Sequence, residues 1–422
     1  MRKAEILRKK YPRFVFEGYF WKVSKNDLEI FFDFGIEPDI KFRPKIIIKN
    51  VSPELIRRVG DRVLNNLIFN LGLIEMLSYW KATCSPIIEI QAGRLNSEQI
   101  KWWQDLIIKG MGQFFYENRI NWRNPNFLKI QTPPNVSRRN LDTFEGKLED
   151  RYLVPIGGGK DSIVTLEKLK DKKKIVDCFL LNPSSAGKKV LKIAGIRNPI
   201  VVERKIDPTL LKLNKKGYLN GHTPFTALLS FLSVFCAVLF DYKNIAFSNE
   251  KSANEGNVKY LGKIINHQWS KSSEFEKKFK YYCKKYLVKD INYFSFLRKY
   301  SELEIAKMFT EYPQYFPAFS SCNVGIKKGK KWCGECPKCL FVYTTLYPFL
   351  EKKELLKIFG RDLFENKKLE SVMKALIGQG RAKPFECVGT YKESRLAFRL
   401  SLKKAKKEDR IPYLLTKLNE MI

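Results

Sequence analysis

Histidine is almost missing from this chain. Among 422 residues there are only His222 and His267, so any imidazole chemistry falls on those two positions. Acidic residues are scarce beside basic ones, 44 against 78, which leaves a formal net charge of +34. Cysteine is sparse and odd in number, nine in all, and that excludes a disulfide-built scaffold. Glycine and proline, 24 and 19, are at ordinary levels, so a collagen-like class is excluded too. The first residues, MRKAEILRKKYPRF, carry charge but no apolar core; no secretory leader is expected, and a cytoplasmic location follows as the expectation. Nothing between Gly217 and Phe240 is charged, but the dense apolar part is only Ala227 to Phe240, interrupted by Ser230 and Ser233. That length suits a buried helix rather than a membrane span. There is no internal repeat and no low-complexity tail.

What is present is a globular composition, 44% apolar and 14% aromatic, which excludes disorder because there is ample surface to bury. The length suggests two or three domains. The positive excess is spread along the whole chain. It fits a solvated Lys-rich surface or a polyanionic partner, and does not choose between nucleic acid, nucleotide and acidic metabolite.

The runs RFVFEGYFWKV, LEIFFDFGI and KFRPKIIIKN predict strands over residues 11–50. Residues 53–80 predict helix, with Ser52 as N-cap, Pro53 at the first position and Glu54 in the first turn. A short strand, PIIEIQ, precedes a helix that begins after Asn96-Ser97. Asn124 to Arg139 is rich in Asn and Pro and predicts a connection, with a boundary near residue 145. Strands at 151–156, 175–182, 199–204 and 244–249 then alternate with helices at 161–170, 184–195 and 223–240. This is the pattern of a parallel sheet covered by helices on both faces. Ligands in such sheets sit at the carboxyl ends of the strands. Gly157–Ser162, Asn182–Ser185 and Ser248–Asn254 all follow strand ends and should share one rim. From about residue 350 the chain predicts Lys-rich helices, broken once at 378–394. The expected architecture is α/β: an N-terminal α+β region (1–145), a parallel-sheet domain ending in a metal knuckle (146–350) and a helical C-terminal region (351–422).

Four motifs carry chemistry. Gly157-Gly158-Gly159-Lys160-Asp161-Ser162 lies between a strand and a helix. The glycines let backbone N–H groups approach an anion, the helix start adds a positive dipole end, and Lys160 adds a charge. The spacing is neither that of GxxxxGK[ST] nor that of GxGxxG. Cys322-x10-Cys333-Gly-Glu-Cys336-Pro-Lys-Cys339 offers four sulfurs to a closed tetrahedral site. This is the pattern of structural Zn²⁺, with an iron–sulfur cluster as the competing occupant. The segment Ser248-Asn249-Glu250-Lys251-Ser252-Ala253-Asn254, continued by Asn266-His267-Gln268-Trp269-Ser270-Lys271-Ser272, is dense in short hydrogen-bonding side chains. A further stretch, Lys383-Pro384-Phe385-Glu386-Cys387, places a Glu–Cys pair in a helical region without a packing reason.

The glycine motif resembles the PP-loop, S-G-G-x-D-S, of the N-type ATP pyrophosphatases, an adenine nucleotide alpha hydrolase-like fold. Gly157 stands where those have Ser, so one hydroxyl donor is lost. The Cys knuckle is similar to the one that follows the PP-loop domain in 7-cyano-7-deazaguanine synthases. Taken together, GGGKDS, SNEKSANEGN, NHQWSKSSEFE, CGECPKC and KPFECVGT, with YWKATCSPIIEI and GMGQFFYEN, resemble the ATP-dependent UDP-N-acetylmuramoyl-L-alanyl-L-glutamate epimerases of peptidoglycan synthesis. The resemblance covers most of the chain. It implies inversion of the terminal L-glutamate of UDP-MurNAc-L-Ala-L-Glu through an acyl-adenylate, with release of AMP and diphosphate. It implies ATP and Mg²⁺ at Gly157–Ser162, Asn182, Ser248, Asn249 and Glu250. Substrate is expected at Asn254, Asn266, His267, Ser270, Lys271, Ser272, Arg381, Lys383 and Glu386. The expected acid–base groups are Cys387 and Cys84, by analogy with the thiol pair of glutamate racemases, with His267 as rival; Lys160 and Asp161 serve the ATP step. No membrane and no nucleic acid is expected as partner. Two other classes remain open: an RNA- or nucleobase-modifying PP-loop enzyme such as a tRNA thiolase, and a non-catalytic zinc-containing nucleic-acid binder.

Overall fold

The computed structural model describes residues 2–133, 141–380, 382–408 and 410–421. Arg381 and part of the Asn124–Arg139 connection lie outside the described residues. The strands are β1 (Arg13–Ser24), β2 (Asp27–Ile36), β3 (Ile40–Phe42), β4 (Lys45–Ile48), β5 (Ile87–Ile90), β6 (Lys129–Gln131), β7 (Tyr152–Pro155), β8 (Val176–Leu181), β9 (Ile200–Lys205), β10 (Asn244–Phe247), β11 (Val258–Tyr260), β12 (Lys263–Ile265) and β13 (Asn292–Ser295).

Among the described residues one 11-stranded sheet runs in the order β13-β10-β7-β8-β9-β4-β2-β1-β5-β6, with β3 beside β2, and β11–β12 form a separate hairpin. From β13 to β9 every neighbouring pair is parallel, as the strand–helix alternation predicts. The sheet does not stop there. β4 pairs antiparallel with β9, Ile46 opposite Arg204 and Ile48 opposite Val202, so the N-terminal strands extend the same sheet past residue 145. A buried ion pair reinforces the join: Arg204 Nε donates to Glu75 Oε2 at 2.7 Å, and its terminal nitrogen donates to Ser78 Oγ at 2.7 Å.

Alternate side chains of each strand enter different cores, as the two-residue repeat of a strand requires. Leu153, Phe179, Ile245 and Phe247 join the helix-covered N-terminal side. Val154, Cys178, Leu180 and Ala246 join the side covered by helices Lys160–Asp171, Ser185–Ile193 and the C-terminal helices. The uncharged helix Phe225–Phe240 is buried along nearly its whole length. It lies between strands β7 and β10 and helix Asp61–Glu75, and a helix covered on all sides has no use for a polar face. No helix among the described residues is long and apolar enough to cross a membrane. Ser52 does sit at the N-cap of helix Pro53–Val59, but its side chain accepts no backbone N–H there. The C-terminal helices break over 377–390, and Thr390 with Glu393 forms a capping box that starts helix Tyr391–Ala405.

The chain runs from β7 to β8 to β9 in one direction and then crosses back to place β10 on the other side of β7. Such a reversal opens a crevice at the carboxyl ends of the two strands. The Gly-rich bend follows β7, and Ser248–Glu250 follows β10.

Candidate active site and metal centre

A cavity of about 340 Å³ lies at that reversal, within the range of about 300–1,000 Å³ of small-molecule sites. Gly157, Gly159, Asp161, Ser162, Ser248, Asn249, Lys271, Ser320, Ser321 and Lys338 supply its polar wall, and Phe179, Leu181, Phe225, Leu229 and Phe247 an apolar one. The bend is glycine-built for stated reasons. Gly158 has φ +95°, and a Cβ there would come within 2.8 Å of Ala186 Cβ and of the Gly187 nitrogen. At Gly157 a Cβ would meet nothing within 4 Å, so it would project into open space. A nucleotide phosphate fits this cradle, because exposed N–H groups and a helix start face an anion-sized gap. One buried group adds to that fit: Ser248 Oγ has no hydrogen-bond partner and can donate to a phosphate oxygen, whereas the equally unpartnered Glu250 Oε2 is an acceptor and suits a cation.

Lys160 does not face the cavity. It is 3% exposed, and its ammonium donates to Asp161 Oδ1 and Glu302 Oε2, both at 2.5 Å. Burial opposes its charge, but Asp161 and Glu302 outweigh burial and hold Lys160 above the ordinary lysine range. Burial pushes the Glu302 carboxyl up to about 8; Lys160 pulls it down while Asp161 and Glu250 push it further up. Lys271 is likewise charged against burial, held so by Cys387, Glu250 and Asp161. The Lys271 ammonium thereby ties the Cys387 sulfur to the carboxylates of the bend.

His267 has a defined tautomer. The Gln113 amide donates to Glu117 Oε1 at 2.7 Å, which turns its Oε1 toward His267 Nδ1 at 2.5 Å. An amide oxygen only accepts, so the proton sits on Nδ1 and Nε2 keeps its lone pair. Burial, with Lys271 and Lys338, pulls His267 down to about 4, so the ring is neutral at physiological pH. His222, the other histidine, lies 4.5 Å from His267 between ring centroids with the rings tilted by 51°, and its Nε2 is buried without a partner.

The remaining expected residues separate into those near this centre and those with other duties. Lys383 pairs with Glu255 at 3.1 Å. Burial and the neighbouring Cys336 sulfur push the Glu386 carboxyl up to about 7. Asn254 accepts from the Ser273 N–H at 2.9 Å, Asn266 bonds Ala253 O and the Gln268 N–H, and Ser272 caps helix Ser273–Tyr286; Ser270 is buried beside them. These side chains shape the loop. Asn182 does not line the cavity: its side chain brackets the Arg204 backbone, accepting from Arg204 N at 2.8 Å. Cys84 is fully buried, receives the Arg8 guanidinium at 3.5 Å, and is pushed by burial up to about 12. It does not line the cavity. Glu302, Gln113, Glu117, Phe225 and Lys338 escape a sequence reading. Glu302 looks like the first turn of a capped helix, and Lys338 is hidden inside the Cys-Pro-Lys-Cys string.

The four sulfurs of Cys322, Cys333, Cys336 and Cys339 lie within 4.8 Å of one another. The separations Cys322–Cys336, Cys333–Cys339 and Cys336–Cys339 are 3.8, 3.7 and 3.5 Å. A tetrahedral ion with bonds of about 2.3 Å to sulfur requires edges of about 3.8 Å. Backbone N–H groups of Gly325, Glu335 and Cys339 point at Cys322, Cys333 and Cys336 sulfurs at 3.1, 3.4 and 3.4 Å, which favours thiolates. The set fits a closed metal site.

The fold and site together define an α/β protein with a glycine-built bend lining a cavity at a strand reversal and a four-cysteine knuckle beside it. Residues 5–296 match the MurL N-terminal domain and residues 318–421 the MurL C-terminal domain. The chain belongs to the MurL family. It is 36% identical over 348 residues to the UDP-N-acetyl-alpha-D-muramoyl-L-alanyl-L-glutamate epimerase of Xanthomonas oryzae pv. oryzae, covering 81% of this chain and 76% of that one. It is 33% identical over 396 residues to the protein of the same name from Salinispora tropica, covering 92% and 84%. A third relative so named, from a Micromonospora species, is 33% identical over 347 residues, covering 80% and 75%.

Proposed function

We propose that this protein inverts the terminal L-glutamate of UDP-MurNAc-L-Ala-L-Glu to D-glutamate, using ATP and releasing AMP and diphosphate. The observation that carries the ATP part is the open glycine bend at the strand reversal; the relatives' names carry the substrate. A Cα proton beside a carboxylate is very weakly acidic, because the carbanion would sit next to a negative charge. Converting that carboxylate to an acyl-adenylate, with diphosphate as the leaving group, removes the charge and allows an enolate-like intermediate; after reprotonation, water cleaves the adenylate to return the carboxylate and release AMP. The bend and Lys271 hold the phosphates, and the aromatic wall at Phe225 and Phe179 accepts the adenine. Asp161 and Glu250 would hold Mg²⁺, which would supply positive charge against the leaving diphosphate. Cys387, beside the Lys271 ammonium, and His267, through its free Nε2, are the two proton carriers, one for each face of Cα. Cys84 is left out because Arg8 and the core enclose it. Zn²⁺ at the four cysteines is structural.

The test is to incubate the metal-loaded protein with ATP, Mg²⁺ and UDP-MurNAc-L-Ala-L-Glu, then measure glutamate chirality and AMP. Inversion with matching AMP is expected. Unchanged L-glutamate sinks the epimerase reading, and AMP release that depends on RNA instead of the dipeptide replaces it with the RNA-modifying one. Cys387→Ser should slow inversion by at least about 100-fold while AMP formation persists; inversion at the wild-type rate removes Cys387 from the chemistry.

A further inference from the structure

The cations around the cavity are not equivalent. Lys160 is bound to Asp161 and Glu302, and Lys383 to Glu255. Lys338 lines the same cavity as Gly157, Gly159 and Lys271 and is half-buried. Among the described residues it makes no ion pair. Its charge reaches both Asp161 on the bend and His267. Glu386 feels the same charge, but a half-buried ammonium that no carboxylate meets at ion-pair distance, in a cleft it shares with a glycine bend and a helix start, suits an anionic ligand.

Its place in the chain is as telling as its exposure. Lys338 stands between Cys336 and Cys339, whose sulfurs are 3.5 Å apart. Cys336 is the N-cap of helix Pro337–Leu346, and Pro337 occupies the first helical position, where its ring holds φ near the helical value. The Lys338 N–H is directed at the Glu386 carboxylate. The lysine stem therefore leaves from backbone anchored by two sulfur ligands, a proline and a carboxylate.

We propose that Lys338 holds the terminal phosphates of the nucleoside triphosphate, the pair that leaves as pyrophosphate, and that the metal knuckle serves to set this ammonium against the cavity. A lysine suits the role, since a compact charge on a flexible stem follows a phosphate group as its geometry changes. The metal centre, structural by its closed ligand set, thereby enters phosphate binding through one side chain. This rests on the reading of the cavity as an ATP site.

The experiment is titration calorimetry of magnesium pyrophosphate into the full-length, metal-loaded protein, with metal content and melting temperature measured on each variant. Lys338→Met should keep its metal and its melting temperature, and bind pyrophosphate roughly 10- to 100-fold more weakly. Lys338→Arg should recover part of the affinity. Cys333→Ala, at the most exposed of the four ligands, should weaken binding in the wild-type background and add little in the Lys338→Met background. Undiminished binding by Lys338→Met, where the wild type binds, overturns the assignment of Lys338 and leaves the ATP site standing. A wild type that binds neither pyrophosphate nor ATP overturns both. Additive losses for Cys333→Ala and Lys338→Met overturn the positioning role of the knuckle.

Discussion

Lys160→Met removes the ammonium that bridges Asp161 and Glu302 inside the bend. In the wild type the Glu302 carboxyl titrates at about 8, against 4.5 for an unperturbed one. A carboxyl raised by folding binds its proton more tightly in the native state. Its contribution to stability is full below about pH 4.5 and is lost as pH rises through about 8. Without Lys160 the main pull toward ionisation is gone, while burial, Asp161 and Glu250 still oppose the charge, so the folded value climbs beyond 8. Up to about pH 8 both proteins lose stability with the same slope from this group. Above that the wild type levels off, and the variant goes on losing about 1.4 kcal/mol per pH unit. By about pH 9.5 its extra deficit is roughly 2 kcal/mol. Near neutral pH the deficit stays below the roughly 3–5 kcal/mol of a broken buried pair, because Glu302 keeps its proton. Urea unfolding of the metal-loaded proteins, followed by circular dichroism across this range, measures the difference. The double variant Lys160→Met/Glu302→Gln lacks the titrating carboxyl and should lose the added alkaline slope. A deficit for the single variant that does not change between about pH 7 and about pH 9.5 refutes the reasoning.

Arg204→Met leaves Glu75 buried without its partner beneath the β4–β9 join, where burial already pushes its carboxyl up, so it takes up a proton and the loss should be about 1–3 kcal/mol, whereas Arg204→Met with Glu75→Leu should recover most of that; equal losses for single and double variants would contradict an ion-pair origin. Removing the metal with a chelator should change the fluorescence of Trp332, which packs on Phe319 and Phe359 at 5.3 and 4.8 Å beside the knuckle, and Trp332→Phe should abolish that change. Burial pulls His222 and His267 down from 6.5 to about 3 and about 4, so their contribution to stability is present above about pH 6.5 and lost as pH falls through those values. His222→Asn/His267→Asn should flatten the acid limb between about pH 6.5 and about pH 4; an equally steep limb would count against neutral, buried imidazoles.

The parallel strands, the glycine bend and the cysteine knuckle are readable along the chain because each is a local pattern. Strand–helix alternation, a run of three glycines after a strand, and sulfurs two residues apart all express their physics within a few neighbouring residues. The uncharged helix Phe225–Phe240 is readable as buried, since no polar face is available for water. Arg204 shows the limit. It reads as the end of an ordinary strand, and nothing near it announces that Glu75, 129 residues away, will meet it.

Composition and local spacing thus determined on their own that part of the chain forms a run of parallel strands, that a glycine bend joins one of them to a helix, and that four cysteines could gather at one point. Only the tertiary structure decided which way the charges point. It turned Lys160 inward to Glu302, 142 residues distant, and left Lys338 facing the cavity. It set the His267 tautomer through Gln113, 154 residues away, and enclosed Cys84 while leaving Cys387 beside Lys271. The physical reason is that an ionisable side chain takes its role from burial and from the partners within a few ångströms, and those partners come from remote parts of the chain.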